Sequence, residues 1–183
     1  MVSENTESEP YRRTPVVVMG VSGCGKSTVG RAIAHDFGAP FVDADDLHPT
    51  SNKEKMRRGE PLTDDDRWPW LDVVGERMAR LDEAEGPVVV ACSALRRAYR
   101  ERLLAAAPDA VFVYLHGSRE LLASRLAGRS HEFMPTTLLD SQLATLEVPG
   151  ADERAVTVDI APPPAAVELA AIRALKGFWR TRA

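Results

Sequence analysis

Between a valine-rich run at residues 15–19 and a segment of helical period stands Gly20-Val-Ser-Gly-Cys-Gly-Lys26-Ser27, followed by Thr28. The spacing fits G-x-x-x-x-G-K-[ST], and few short motifs constrain a fold as tightly. Gly20, Gly23 and Gly25 let the backbone turn so that successive N–H groups, those of Ser22 and Cys24 among them, point inward as an anion nest. A helix starting near Lys26 adds its positive dipole end to the same point. Lys26 then reaches the β- and γ-phosphates of a nucleotide, the Ser27 hydroxyl is a ligand for Mg²⁺, and Thr28 closes the loop. The competing reading is a glycine-rich turn that merely caps a helix; the strand before it and the amphipathic helix after it favour the nucleotide.

The rest of the chain repeats that strand–helix alternation. β-Branched runs occur at 15–19, 41–43, 88–92, 111–115 and 155–159. Helical faces lie between them: Val29, Ile33 and Phe37; Trp70, Val74, Met78 and Leu81; Leu95, Tyr99 and Leu103; Leu139, Leu143 and Leu146; Val167, Ala171, Leu175 and Phe178. The valine runs show little alternation, as strands covered on both faces should. Five strands with helical crossovers predict an α/β, doubly wound parallel sheet. Residues 1–13 hold almost no large apolar side chains and read as a disordered tail, leaving 14–183 as one domain. A net charge of -4 and a pI near 5.6 argue against a nucleic-acid partner. The longest uncharged run, Thr14 to Gly25, has 12 residues, too few for a membrane helix. Two cysteines, Cys24 and Cys92, form no disulfide framework, and the acidic, polar N-terminus is no targeting signal, so the expected location is the cytoplasm.

A phosphate-binding loop serves kinases, GTPases and motors alike. No N-K-x-D for guanine is present, since Asn52-Lys-Glu-Lys55 lacks the aspartate, and the 88–92 run ends Ala-Cys-Ser93 without the acidic pair of motor ATPases. The second strand instead ends Asp43-Ala-Asp45-Asp46-Leu-His48. Two residues apart on a strand, Asp43 and Asp45 are expected on one side, at the sheet edge where α/β folds bind ligands. One carboxylate would serve the magnesium shell and the other would orient and deprotonate an acceptor hydroxyl. The alternative is a solvated acidic turn capping the next helix.

In order along the chain come Met-Gly-Val-Ser-Gly-Cys-Gly-Lys-Ser-Thr (19–28), Asp-Ala-Asp-Asp-Leu-His-Pro (43–49), Lys55-Met56, Gly-Glu-Pro-Leu-Thr-Asp-Asp-Asp-Arg (59–67) and Pro-Trp-Leu (69–71). Cys-Ser-Ala-Leu-Arg-Arg (92–97), Tyr99-Arg100, Gly117-Ser118, Arg125-Leu126, Arg129 and Leu-Leu-Asp-Ser-Gln-Leu-Ala-Thr-Leu-Glu (138–147) follow. This series resembles the gluconokinases, small P-loop kinases related in fold to the shikimate and nucleoside-monophosphate kinases. The resemblance implies ATP-dependent phosphorylation of D-gluconate on its 6-hydroxyl, feeding the pentose phosphate or Entner-Doudoroff route, with Mg²⁺ as cofactor and a homodimer as the common assembly. It further implies a substrate-binding helical region at about 44–85 and a lid at about 125–136. Two positions depart from the family: Cys24 stands where serine is usual, and the lid reads His131-Glu132-Phe133-Met134 in place of His-Phe-Met or His-Tyr-Met.

On that reading Lys26, Asp45 and Arg129 carry the reaction, Asp43 supports the metal through water, and Arg125 meets the nucleotide. Arg125 and Arg129 lie four apart, on one helix face; without the resemblance they read as a solvated face. Asp45, His48, Arg67, Ser93 and Arg96 are the expected acceptor ligands. His48 could equally cap a helix and Arg67 could simply neutralise the aspartates before it. Arg96 is the better placed of the two arginines for an anionic substrate, because a guanidinium fork holds a carboxylate bidentately. Trp68, Trp70 and Trp179 read as packing, and His35 and His116 have no partner pattern. The adenine is expected between the Arg125 helix and the loop near Ile160–Pro163, by analogy of fold. The alternatives are a shikimate-kinase-like or other small-molecule kinase, and a nucleotide-switch regulator.

Overall fold

A computed structural model of the chain describes residues 14–80, 87–128 and 136–182. The expected tail at 1–13, Leu81, and Arg129 with the His131–Met134 stretch lie outside the described residues. Five strands are present: β1 (Val16–Met19), β2 (Phe41–Asp43), β3 (Val89–Ala91), β4 (Val111–His116) and β5 (Ala155–Asp159). All pair in parallel, in the order β2-β3-β1-β4-β5. The helices are α1 (Lys26–Phe37), α2 (Thr50–Arg57), α3 (Asp64–Ala79), α4 (Arg97–Ala106), α5 (Arg119–Ala127), α6 (Thr136–Thr145) and α7 (Pro164–Arg180), with a short 3-10 helix at Ala44–Leu47.

The strand alternation sorts the core into two layers. Val16 and Val18 face Ile33 of α1 and Ala171 and Leu175 of α7, with Val113 and Leu115 beside them. Val17 and Met19 face the opposite layer, where Trp70, Val74 and Met78 of α3 and Tyr99 and Leu103 of α4 pack on Val90 and Phe112. Every β1 residue is buried, which is why its sequence is valine without polar alternation. The expected doubly wound sheet is therefore the fold.

Chain order fixes where a ligand can enter. From β1 the chain crosses to β2 on one side, and from β3 it crosses to β4 on the other, so the connections diverge beside the end of β1. Such a divergence opens a crevice at the carboxyl edge. The loop after β1 sits there, and Val18, Ala91 and Asp43 are level across three adjacent strands.

Candidate active site

The loop from Gly20 to Gly25 is shaped by positions where a side chain would not fit. Gly20 has φ +140, and a Cβ there would stand 2.7 Å from the Leu115 carbonyl oxygen. Gly23 (φ +83) lies under α5, where a Cβ would meet Leu126 Cγ at 3.0 Å. Gly25, with φ 95, is the residue from which α1 starts, so its left-handed turn aims the helix N-terminus at the loop. Cys24 is buried. The Gly20 N–H donates to the Ser93 carbonyl at 3.3 Å, tying the loop to the chain leaving β3. Lys26 Nζ donates to the Gly20 and Val21 carbonyls, both at 3.1 Å, and so lies folded along its own loop.

The Ser27 hydroxyl donates to Asp43 Oδ2 at 2.7 Å. A hydroxyl and a carboxylate held together at the mouth of a phosphate-binding loop are hard oxygen ligands, the donor set that suits Mg²⁺. Among the described residues no group of three or more His, Cys, Asp or Glu side chains could hold a metal ion. Two protein oxygens with the remaining positions left to phosphate and water is the pattern Mg²⁺ adopts in kinases.

Strand alternation does not place Asp45. The chain turns from extended conformation immediately after Asp43 into the 3-10 helix, and Asp43 Oδ1 accepts the Asp45 N–H at 3.2 Å. A short carboxylate caps the following N–H groups more readily than it continues a strand, so the side-by-side arrangement expected of the two aspartates gives way to a capped turn. The outcome separates them. Asp43 is half-buried with both oxygens engaged, whereas the Asp45 side chain is 75% exposed.

Asp45 faces a cavity of about 200 Å³ that opens beside the loop. Ser22 and Lys26 line it together with Asp45, His48, Arg67 and Ser93. The segment between α2 and α3, with Leu62, forms a further wall, and α6 contributes Leu138, Ser141, Gln142 and Thr145. His48 is buried and stacks on Trp70 with ring centroids 4.0 Å apart. Trp70 Nε1 donates to the Ala44 carbonyl at 2.7 Å. Trp70 is thus core packing, as its helical spacing suggests, and also the floor that fixes His48.

The Asn52 amide settles the histidine tautomer. Its Nδ2 donates to the Asp66 carbonyl at 2.8 Å, which fixes the amide's orientation, and the same nitrogen lies 3.3 Å from His48 Nδ1. Nδ1 is therefore the acceptor and the proton sits on Nε2, 4.0 Å from Asp45 Oδ1. Burial, helped by the charges of Lys53 and Arg67, pulls the imidazole from its ordinary 6.5 to about 4, so His48 is a neutral hydrogen-bond donor. Cys92, behind the site, is pushed up to about 12 by burial and is an inert thiol.

The two arginines stand differently about the cavity. Arg96 Nη1 pairs with Asp64 Oδ2 at 2.8 Å and does not line the cavity. Arg67 does line it, with Nη1 donating to the Leu62 carbonyl and its guanidinium over the Tyr99 ring. Asp64 also accepts the Tyr99 hydroxyl at 2.6 Å. The residue that sequence reasoning missed is Asp64: a carboxylate 32 residues upstream claims Arg96, a pairing with no local signal. Arg125 Nη2 donates to the Ile160 carbonyl at 2.7 Å, linking α5 to the loop after β5 where the adenine is expected.

No helix among the described residues is long and apolar enough to cross a membrane. The family described as AAA domain matches residues 16–149. A protein named probable gluconokinase from Xenopus tropicalis is 49% identical over 160 residues, covering 79% of this chain and 84% of that one. The crystal structure of a gluconokinase from Sinorhizobium meliloti superposes with a TM-score of 0.86 at 50% identity, covering 93% of this chain and 95% of that one. Shikimate kinase from Acinetobacter baumannii, at 19% identity and a TM-score of 0.56 over 93% and 96% of the two chains, shares the fold. With likeness of that degree over most of each chain, the chain belongs to the gluconokinase family of small P-loop kinases.

Proposed function

We propose that this protein transfers the γ-phosphoryl group of ATP to the 6-hydroxyl of D-gluconate, giving 6-phospho-D-gluconate and ADP. The observation that carries the reading is the single cavity shared by Ser22 and Lys26 of the phosphate-binding loop and by Asp45, His48, Arg67 and Ser93. A donor phosphate and an acceptor hydroxyl therefore have one space in which to meet. In such transfers the protein mainly positions groups and neutralises charge. The bond from the γ-phosphorus to its bridging oxygen breaks, the bond to the acceptor oxygen forms, and the hydroxyl proton leaves to a base.

The geometry supports a role for each residue. Lys26 leaves its own loop carbonyls for the β- and γ-phosphate oxygens, and the N–H groups of Gly23 through Thr28 cradle the phosphates, the Ser22 N–H being held by Gln142 Oε1. Ser27 and Asp43 would hold Mg²⁺, which supplies charge neutralisation at the phosphates when bound. Asp45, exposed to the cavity, orients the acceptor hydroxyl and takes its proton. Neutral His48 donates from Nε2 to a sugar hydroxyl. Arg67 is the cation for the gluconate carboxylate in preference to Arg96, because Arg67 lines the cavity and Arg96 does not, although Asp64 lies near both. Arg125, through its bond to Ile160, borders the adenine. A homodimer in the cytoplasm belongs to the same proposal, on family resemblance.

ADP release measured with Mg-ATP across gluconate, other aldonates, shikimate and nucleoside monophosphates tests the assignment. Gluconate should give the largest rate. A faster reaction with shikimate or a nucleotide removes the gluconate reading, and release that is independent of any acceptor favours a nucleotide switch. Likeness to shikimate kinase is one of fold and lends shikimate no support as acceptor.

A further inference from the structure

Helix α6 is tied to the phosphate-binding loop through the Gln142 side chain. The Ser22 N–H donates to Gln142 Oε1 at 2.7 Å, across 120 residues of sequence. Ser22 belongs to the phosphate-binding loop, yet its amide is held by a glutamine that lines the cavity together with Asp45. The donor fixes which way the carboxamide points, because only the oxygen can accept from an N–H. Its Nε2, with two N–H donors, has no hydrogen-bond partner among the described residues. Neighbouring positions on the same wall are neutral and polar: Ser141 and Thr145 line the cavity, and Thr145 Oγ1 spends its own proton on the Ser141 carbonyl at 2.8 Å. Beside Gln142 on the helix Leu139 is fully buried, with Leu143 and Leu146 packed against the same core, which anchors α6 next to the cavity wall. Arg119 of α5 also grips Asp140 bidentately, at 2.6 and 3.0 Å.

We propose that Gln142 is a specificity-determining residue that joins the two substrate sites: Oε1 holds the loop at Ser22, and Nε2 donates to the acceptor hydroxyl next to the one that is phosphorylated. This rests on the gluconate reading above. An uncharged donor suits a polyol, and a side chain anchored on the phosphate loop gives the acceptor a fixed distance from the phosphoryl group. A hydroxyl that satisfies a waiting donor is discriminated strongly from its deoxy analogue, which leaves that donor unpaired.

The test is a cycle of substrate and side chain, using gluconate, 5-deoxygluconate and 4-deoxygluconate with the wild-type enzyme and with Gln142→Met, which is similar in length and uncharged. Wild type should lose at least tenfold in kcat/KM when the 5-hydroxyl is removed and less when the 4-hydroxyl is removed. In Gln142→Met the 5-deoxy penalty should shrink to about twofold or less. Gln142→Glu keeps an acceptor for the Ser22 N–H but no donors, and should also lose the penalty; it serves if the methionine variant fails to fold. A glutamine that only ties α6 to the loop would lower all rates alike, and equal 5-deoxy penalties in wild type and variants overturn the proposal. Wild-type turnover of gluconate in the same assay separates the two claims: without it the functional reading falls, and with it parallel penalties remove the Gln142 role alone.

Discussion

Replacing His48 by glutamine should flatten the acid limb of the stability curve. The wild-type imidazole, buried on Trp70 and pulled down to about 4, must stay neutral in the folded state, whereas in the unfolded chain it titrates at its ordinary 6.5. Because the folded value is depressed, the unfolded chain binds more protons below 6.5, and stability is lost as pH falls from 6.5 towards 4. Linkage with those two values gives a loss of about 2 kcal/mol between pH 7 and pH 5, and about 3 kcal/mol by pH 4. Asp45, 4.0 Å away, opposes the shift only weakly because water screens its exposed carboxylate. Urea unfolding at pH 7, 6, 5 and 4 for wild type and His48→Gln isolates this contribution, since the carboxylates are common to both proteins. The difference between the two curves should close by about 2 kcal/mol over the upper two units. Curves that run parallel from pH 7 to pH 4, or a His48 proton resonance with its midpoint near 6.5, would refute the buried neutral imidazole.

Two further perturbations probe the frame and the carboxylates. Arg100 is fully buried, holds both Glu153 oxygens at 2.5 and 2.8 Å and donates to the Ala94, Leu95 and Glu147 carbonyls; Arg100→Met strands a buried carboxylate and should cost about 3–5 kcal/mol in urea unfolding, while a loss under 1 kcal/mol contradicts the pairing. Asp43→Asn should raise the magnesium needed for half-maximal turnover and recover in part at high magnesium, whereas Asp45→Asn should lower kcat at saturating gluconate by about 10²–10⁴-fold with Mg-ATP affinity nearly unchanged; the opposite pattern exchanges the two roles.

The phosphate-binding loop and all five strands were legible because their signals are local. A glycine at a left-handed φ, a lysine and hydroxyl at fixed spacing, and valine runs buried on both faces each declare themselves within a few residues. The acidic turn was legible as a cluster at the end of β2, and its geometry was misjudged. Asp43 caps the next turn with its own side chain, a choice strand alternation does not weigh. Helix α3 begins at a capping box, Thr63 with Asp66, and carries Pro69 within its length. What stayed hidden was pairing at long range. Asp64 taking Arg96, Asn52 setting the His48 tautomer through the Asp66 carbonyl, and Gln142 reaching Ser22 all join elements that only the folded sheet brings together. The polar face of α6 could be read from Ser141, Gln142 and Thr145 set against Leu139, Leu143 and Leu146, but not what that face looks at.

The measurement closest to the central claim is the position of phosphate on the product. Gluconate incubated with the enzyme and Mg-ATP should yield a phosphate ester whose ³¹P signal couples to the two protons on carbon 6, with ADP formed in equal amount. A phosphate coupled to a single proton on any other carbon, or ADP accompanied only by inorganic phosphate, would contradict the account.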